Sequence, residues 1–561
     1  MDTLNLVFLF LLLCLLAVAA GIAVRRKAAF AAIAAGEDSR PLSPLTRALL
    51  CGAVLLLSLL RLWRFGSVPG GFNQDGAMAA VDALALAQHG TDRFGTWLPA
   101  HFTAWGYGQM SVLLSYLMVP LIRLFGLSAV TARLPQLLAS FLGMGAAWLF
   151  LRQLLSRRAA LIGLLCLALC PWHFMQSRWA LDCNLLPHMF LCGLALLDRG
   201  VRKPAALYAS MVFFALCMYS YGLAFVSVPL FLLCAVILLL RKKAVTPLQA
   251  LLCAGIYFLL SFPIYGTMLI NAMGWKTVAL PFVTMPYFPH SVRSGDLLFF
   301  SAEPLRQLGD NIRALWNVVF LQKKDLLWND IAGFGTVYRC SMPLVLAGLV
   351  LTVVRCFRAE GEKKLGWRLL LLFWLCSLAT GLCVNAVNVN RINIIFYAHA
   401  LFIAIAIHAL VTVDWRAALP LAAIYGVLAM LFVSAYFGPW AEQISNAFFE
   451  DFLEAVEYAG SLDCDTLYIT PDVQYPGSKN VSEILTMYKL QIDAGYFQGK
   501  TATDRPYAAR FRYENADPAR LSGSVACVQK LSALPAELPP GWTVKSFGSY
   551  AVIFPDKEET G

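Results

Sequence analysis

Residues 45–76 read LTRALLCGAVLLLSLLRLWRFGSVPGGFNQDG. The stretch is strongly apolar up to Trp63, and it then reaches the carboxylate of Asp75 through a loop rich in glycine. An apolar run of about 17 to 25 residues is the length that crosses the roughly 30 Å of hydrocarbon in a bilayer. A carboxylate close to the end of such a run is costly unless it has a task. The stretch therefore predicts a membrane protein with a functional acid near the bilayer surface.

Similar apolar runs recur over most of the chain. Of the 561 residues 59% are hydrophobic and 14% charged, and the mean hydropathy is +0.67, which is too apolar for a soluble protein. We predict a polytopic α-helical membrane protein with about 12 spans, at residues 4–24, 45–63, 131–151, 159–176, 184–198, 204–221, 223–240, 248–271, 341–357, 367–385, 393–411 and 417–437. The first span is interpreted as a retained anchor, and a cleaved signal peptide is the alternative.

Basic residues set the expected orientation, because short loops rich in Lys and Arg stay on the cytoplasmic side. With these spans all the basic clusters fall on one side, at residues 25–27, 152–158, 199–203, 241–243 and 355–368. This requires the apolar stretch 110–125 to lie along the membrane surface or re-enter, which its Pro120 and Arg123 favour. Asp75 is then extracytoplasmic.

The distribution of charge argues against a nucleic-acid partner. The whole chain has a formal charge of +11, but the part from Gly438 onward has 17 acidic and 10 basic residues. The excess of positive charge therefore reflects membrane topology. Most of the 15 cysteines lie in apolar segments, although Cys464 and Cys527 are able to pair if the compartment is oxidising.

The chain divides into an N-terminal anchor with a cytoplasmic linker, a transmembrane body and an extracytoplasmic domain. Their expected limits are 1–44, 45–437 and 438–561, and the body has long outer loops at 64–130 and 272–340. In the last domain we predict an amphipathic helix over 444–458, a strand over 466–470, a helix over 481–492 and a hairpin over 542–554. These elements indicate a small α/β domain.

The first outer loop has the composition of a sugar-binding site, in which carboxylates bond hydroxyl groups and aromatic rings stack on sugar faces. Besides Asp75 it contains Asp82, His89, Asp92, His101, Trp105, Tyr107 and Gln109. Gly70, Gly71 and Gly76 would let the backbone approach a ligand closely. The alternative for Asp75 is that it only caps a helix that begins near Ala77.

Two further polar segments follow at expected outer ends of spans. Asp182 is predicted to join Asp75 at one site and Arg178 to meet an anion, unless the two simply pair across one helical turn. Arg391, next to Asn390, is the candidate for a lipid phosphate, because guanidinium holds phosphate through two hydrogen bonds; the alternative is snorkelling to lipid headgroups. Tyr219, Tyr221, His173, Tyr397 and His399 also lie near expected outer ends of spans, and the tyrosines among them are interpreted chiefly as an aromatic belt at the membrane boundary.

The order of these features resembles the GT-C membrane glycosyltransferases, nearest to the bacterial family 39 enzymes. These include dolichyl-phosphate-mannose protein mannosyltransferases, lipid A aminoarabinose transferases and RgtA/B/C/D-like transferases. The resemblance is carried by Gly71-Phe-Asn-Gln-Asp75, by Leu124-Phe-Gly-Leu with Ala132-Arg133-Leu134-Pro135, and by Pro171-Trp-His-Phe-Met-Gln-Ser-Arg178 through Asp182. One departure is Gly76, where many relatives carry Glu.

This resemblance implies an inverting transfer of one hexose or pentose from a polyprenyl-phosphate donor to an acceptor on the extracytoplasmic face. By the resemblance Asp75 would be the catalytic base and Asp182 a second acid. From the chemistry of their side chains, we expect Arg391 and Arg178 to hold the donor phosphate. The expected contacts of the sugar or the acceptor are His101, Trp105, Tyr107 and Asn390. The acceptor is a glycan, a lipid or a protein. No cofactor and no metal site are predicted, although some relatives use a divalent cation.

Two other classes of protein fit the same composition. A transporter or flippase for a lipid-linked glycan would also need many spans and outer polar residues, but it typically has charged residues near the midplane and paired repeats. An inactive GT-C-like scaffold is the third class, because Gly76 replaces an acid.

Overall fold

The computed structural model describes residues 1–25, 42–105, 108–289, 298, 301, 303–384, 386–498, 510–516, 523–534, 538 and 540–556. Its helices are, in chain order, α1 Asp2–Arg25, α2 Pro44–Leu59, α3 Gln74–His89, α4 Leu113–Phe125, α5 Ala129–Leu154, α6 Arg157–Leu169, α7 Pro171–Gln176, α8 Leu185–Gly200, α9 Pro204–Ser220, α10 Ala224–Arg241 and α11 Pro247–Met273. They continue with α12 Pro304–Leu315, α13 Met342–Arg358, α14 Gly361–Cys383, α15 Val389–Ile392, α16 Ile394–Val413, α17 Ala418–Phe437, α18 Pro439–Ala447, α19 Glu450–Ser461, α20 Lys479–Lys489 and α21 Ala494–Phe497.

The predicted membrane class is confirmed, but three of the predicted spans are short. Nine helices within the described residues are long and apolar enough to cross a membrane. The other three predicted spans correspond to α6 with α7, to α8 and to α9. The first of them is interrupted because Cys170 is extended and Pro171, which lacks an amide hydrogen, starts a new helix. The apolar stretch 110–125, which we predicted not to cross the membrane, contains α4. The 13 residues of this helix are too short to span a bilayer.

The chain packs as two units. The helical unit contains Met1–Phe65, Gln136–Tyr265 and Val292–Gly438. Helices α8 and α16 form its centre, since both are buried along most of their length and both are apolar on nearly every side. The mixed unit contains Gly66–Pro135, Gly266–Ser291 and Pro439–Gly561, so the segment after α2 packs with the C-terminal region.

The mixed unit contains all the described strands. They are β1 Phe102–Ala104, β2 Gly108–Met110, β3 Val278–Leu280, β4 Val283–Met285, β5 Thr466–Ile469, β6 Phe511–Arg512, β7 Val525–Lys530, β8 Trp542–Phe547 and β9 Tyr550–Pro555. The first four form two antiparallel hairpins, and the rest form one sheet in the order β6-β5-β7-β9-β8. Strand β5 is parallel to β6 and β7, and β9 is antiparallel to β7 and β8, so the expected small α/β region is present.

Two details of this region differ from the sequence-based expectation. The single helix predicted over 444–458 is two helices, α18 and α19, because Phe449 between them has a φ of +60°. Cys464 and Cys527 are both free and buried, so they do not form a disulfide. Burial raises the pKa of the Cys527 thiol to about 12, and this side chain therefore behaves as an apolar group in the middle of the sheet.

Candidate functional site

In the mixed unit, Asp75 lies in the first turn of α3. The helix begins at Gln74, and the cap is Asn73, whose side-chain oxygen accepts a hydrogen bond from the Asp75 amide at 3.0 Å. The alternative in which Asp75 caps a helix near Ala77 is therefore wrong. Its half-buried carboxylate lies where the positive end of the helix dipole stabilises negative charge.

The glycines before Asp75 make room for protein, not for a ligand as we expected from the sequence. A Cβ atom on Gly70 would overlap the side chains of Ser445 and Glu450, and one on Gly71 would overlap the carbonyl of Phe448. Gly71 also has a φ of +62°, which favours glycine. The next amide, that of Phe72, donates to the Phe448 carbonyl at 2.6 Å.

Arg133 fixes the loop that leads to Asp75. Its guanidinium donates to the carbonyls of Gly66 and Pro69 at 2.9 Å each and to that of Gly71 at 2.7 Å. It also lies over the ring of Phe72, 5.0 Å from the centroid, and is only 1% exposed. Arg133 belongs to the motif that carries the family resemblance, but the sequence did not predict its role. Nothing in the sequence shows which backbone carbonyls need a hydrogen-bond donor.

Several other polar residues of this loop are engaged in the protein's own structure. Asp82 is fully buried and forms an ion pair with Arg93. His89 pairs with Asp493 at 3.0 Å. Asp92 accepts hydrogen bonds from the amides of the turn that follows it. The density of acids and imidazoles in the sequence therefore overstates the number of groups available to a substrate.

Two of the predicted sugar contacts of this loop, His101 and Trp105, lie directly before and after strand β1. His101 is buried just before β1. Trp105 lies in the turn after β1 with a φ of +51°, and its carbonyl accepts a hydrogen bond from Asn480 at 3.2 Å. Tyr107 lies outside the described residues. Roles for these three in binding sugar stay predictions.

In the helical unit, Asp182 and Arg391 belong to one constellation. The short helix α15, which carries Arg391, packs against the 3-10 turn of Asp182–Asn184. The Asn393 side chain donates to the carbonyl of Cys183 at 2.8 Å and ties the two segments together. Arg391 is half-buried, and its amide donates to the capping side chain of Asn388 at 3.1 Å.

Three amide side chains of this constellation have polar atoms left over. The Nδ2 atom of Asn184 and the Oδ1 atoms of Asn390 and Asn393 are buried without a hydrogen-bond partner among the described residues. Buried polar groups in native proteins are nearly always bonded to protein, water or ligand. Water or a polar ligand can therefore bind at these three atoms.

A residue that the sequence did not single out supports the same segment. The Asp325 carboxylate accepts a hydrogen bond from the Val389 amide at 2.6 Å, at the start of α15. Burial raises the pKa of Asp325. No sequence pattern announces this contact, since the two residues are 64 positions apart.

Arg178 has a different position from the one that its predicted phosphate role requires. Its guanidinium is fully buried and donates to the carbonyls of Arg61, Trp63 and Arg64 and to the hydroxyl of Tyr436. The helical pairing offered as its alternative also fails, because the helix ends at Gln176 and Leu181 is extended. Arg178 acts as a support for the protein's own backbone.

Tyr397 forms a buried triad with His173 and His188 and is not part of an aromatic belt as predicted. The Tyr397 hydroxyl is hydrogen-bonded to His173 Nε2 at 3.0 Å and to His188 Nδ1 at 2.6 Å, and all three side chains are at most 1% exposed. Gly143 packs so closely that a Cβ atom there would overlap the tyrosine hydroxyl. The triad ties α7 and α8, which flank Asp182, to α16, which follows Arg391.

No group of three or more His, Cys, Asp or Glu side chains within the described part of the chain is placed to hold a metal ion.

Comparison with known proteins supports the family resemblance seen in the sequence. The family described as dolichyl-phosphate-mannose-protein mannosyltransferase matches residues 109–266. No curated protein sequence matches the chain.

Among solved structures, the chain is similar to ArnT from Cupriavidus metallidurans bound to undecaprenyl phosphate. The two share 14% identity over 90% of this chain and 97% of that one, with a TM-score of 0.54. The apo oligosaccharyltransferase of Archaeoglobus fulgidus has a TM-score of 0.43 at 13% identity, over 79% of this chain and 64% of that one. The family match and the ArnT fold confirm the resemblance to GT-C membrane glycosyltransferases.

The role of Arg133 is tested by Arg133→Lys. One ammonium group on a flexible stem does not reproduce three hydrogen bonds to separate carbonyls, so we expect a loss of roughly 1–3 kcal/mol of stability. The melting temperature of the purified protein should fall. Arg123→Lys is the matched control, because exposed Arg123 has a single described bond, to the Ala87 carbonyl. Equal melting temperatures for the two variants would contradict the assigned role.

The buried triad is tested by Tyr397→Phe. Loss of the hydroxyl leaves two buried imidazole nitrogens without their partner, and each such group costs about 1–3 kcal/mol. The control is Tyr425→Phe, which removes a buried hydroxyl with one described bond, to Ser341. We expect the first variant to lower the melting temperature more than the second, and the reverse order would disprove the importance of the triad.

Proposed function

This multi-pass membrane protein has the fold of the GT-C glycosyltransferases, and from that premise we propose that it is an inverting glycosyltransferase. It moves one sugar, a hexose or a pentose, from a polyprenyl-phosphate donor to an acceptor on the extracytoplasmic face. The observation that carries the proposal is the constellation of Asp182 and Arg391, with its three buried amide atoms that have no hydrogen-bond partner among the described residues. The ArnT structure, whose bound lipid is undecaprenyl phosphate, supports the class of donor.

Arg391 has the chemistry that a lipid phosphate needs. A guanidinium offers two parallel N–H groups to phosphate oxygens, and a partly dry position strengthens each of these bonds. When the bond between the anomeric carbon and the phosphate oxygen breaks, the electron pair stays on the phosphate. Arg391 stabilises this added negative charge. Asn390, beside it, is the candidate contact for the sugar.

Asp75 is the proposed base. As the acceptor oxygen or nitrogen attacks the anomeric carbon from the face opposite the phosphate, its proton passes to the Asp75 carboxylate, and the configuration inverts. A carboxylate in the first turn of α3 lies where the helix dipole stabilises its negative charge. Asp182 is the second acid, and His101, Trp105 and Tyr107 are candidate contacts of the sugar or the acceptor.

The departure at Gly76 has a packing explanation. Gly76 is buried in the first turn of α3, so a glutamate at this position would bring a carboxylate into the interior of the mixed unit. The proposed chemistry relies on Asp75 alone for proton transfer. It therefore does not depend on the acid that many relatives carry at the next position.

The catalytic role of Asp75 is tested by Asp75→Asn in reconstituted protein with a labelled polyprenyl-phosphate sugar. Removal of a general base should lower the turnover number by about 10²–10⁴-fold and leave donor binding intact. Asp310→Asn, which neutralises an exposed carboxylate, is the control. Unchanged release of lipid phosphate by the Asp75 variant would refute the assignment. Movement of intact donor across the bilayer without release would favour a transporter, and no activity in the parent protein would favour a scaffold.

The phosphate role of Arg391 is tested by Arg391→Gln and Arg391→Lys. Loss of charge-assisted hydrogen bonds worth about 1.5–3 kcal/mol should raise the KM for the donor roughly tenfold to a hundredfold in the Gln variant. The Lys variant should recover part of this loss, because it keeps the charge. Arg306→Gln, at an exposed surface ion pair, is the control. A KM equal to that of the control would indicate that Arg391 contacts phospholipid headgroups and does not bind the donor phosphate.

A further inference from the structure

The helical unit contains a cavity of about 1220 Å³ that belongs to no part of the proposed reaction. Three helices each contribute one face to it: α2 between Thr46 and Leu57, α6 between Arg158 and Leu169, and α17 between Ala418 and Ala429. The C-terminal end of α16 lies beside it, whereas Arg391 and Asn393 precede the other end of that 20-residue helix. At 1.5 Å per residue these two ends are about 30 Å apart.

The cavity has the length of one bilayer leaflet. Each of the three helix faces covers eleven residue steps, which corresponds to a rise of about 16 Å. Half of the hydrocarbon thickness of a bilayer is about 15 Å. Arg61, just after α2, donates to the Leu167 carbonyl near the end of α6, and Arg158, near the start of α6, donates to the Val411 carbonyl shortly before α17. All three helices therefore begin at the same end of the cavity.

The polar groups of the cavity are gathered at the end where the helices begin. Arg158 and Arg416 lie there together with Asp414, so these three side chains carry a net positive charge. The Arg158 guanidinium donates to the Val411 carbonyl at 3.3 Å, which holds it in place, whereas Arg416 is exposed. The starts of three helices add partial positive charge at the same place. Beyond this end the lining is mainly Leu, Ile and Ala.

We propose that this cavity is a binding site for one anionic phospholipid, with its phosphate between Arg158 and Arg416 and an acyl chain along α2 and α17. A positively charged end followed by an apolar slot of leaflet length matches that occupant in charge and in length. The inference is independent of the proposed transferase activity, because no residue of the cavity belongs to the candidate site.

The apolar part of the cavity is tested by filling it. Gly426, on α17, lines the cavity, and a Cβ atom there would meet no atom within 4 Å, so Gly426→Phe starts its side chain in open space and places an aromatic ring in the slot. Gly255→Phe is the matched control, because Gly255 is equally open but lies on α11, away from the cavity. The full chain is delipidated in detergent and titrated with phosphatidylglycerol or phosphatidylcholine of identical acyl chains, and bound lipid is counted by native mass spectrometry.

We expect the parent protein and Gly255→Phe to retain one phosphatidylglycerol in preference to phosphatidylcholine, and Gly426→Phe to lose it while keeping its melting temperature without added lipid. If Gly426→Phe binds phosphatidylglycerol as the control does, the site is disproved. Equal binding of the two lipids by the parent protein would also overturn the proposal. Polyprenyl phosphate that displaces phosphatidylglycerol from the cavity would assign the site to a different lipid and overturn it as well.

The charged end is tested by Arg416→Gln, with Arg241→Gln at the exposed end of α10 as the control. Loss of one charge-assisted contact should weaken phosphatidylglycerol binding by about tenfold and leave phosphatidylcholine binding unchanged. A headgroup preference that survives in Arg416→Gln would contradict the assigned phosphate position.

Discussion

Buried guanidinium groups that bind backbone carbonyls are the interaction on which the rest of the structure depends. A carbonyl removed from water needs a donor, and helix ends leave such carbonyls without one. Arg61 donates to the carbonyls of Leu167, Ala168 and His173, and Arg178 donates to those at the end of the α2 segment. In the mixed unit Arg133 does the same for the loop before Asp75. These contacts stabilise non-helical segments of the chain next to the candidate site residues.

The consequence is that polar residues with structural and functional roles lie side by side. Arg178 and Asp182 are four positions apart, yet the first is committed to carbonyl groups while the second lies in the turn that packs against α15. Similarly, Asp82 is committed to Arg93, whereas Asp75 is half-buried at a helix start. A list of polar residues near a membrane boundary therefore does not identify a site until the partners of each side chain are known.

The sequence predicted the membrane class and the final hairpin, and nine of its twelve predicted spans are full-length apolar helices in the described part of the chain, because each depends on local hydrophobic pattern. It failed where a distant contact decides the outcome. Phe449 interrupts a helix whose amphipathic pattern is continuous, and Tyr397 is buried between two histidines although tyrosine near the end of a span is typical of an aromatic belt. Asp325 was missed for the same reason, since its partner Val389 is distant in the chain.

The sequence by itself determined the membrane fold and drew attention to Asp75, Asp182 and Arg391, because hydrophobic length and the cost of charge near a bilayer act locally. Only the tertiary structure decided which carbonyls Arg133 and Arg178 satisfy, why Gly70 and Gly71 have no side chains, and how Asn393 joins two segments of the candidate site. Hydrogen bonds act over about 3 Å, so they depend on which segments meet in space. That information is spread over the whole chain and is not contained in any one motif.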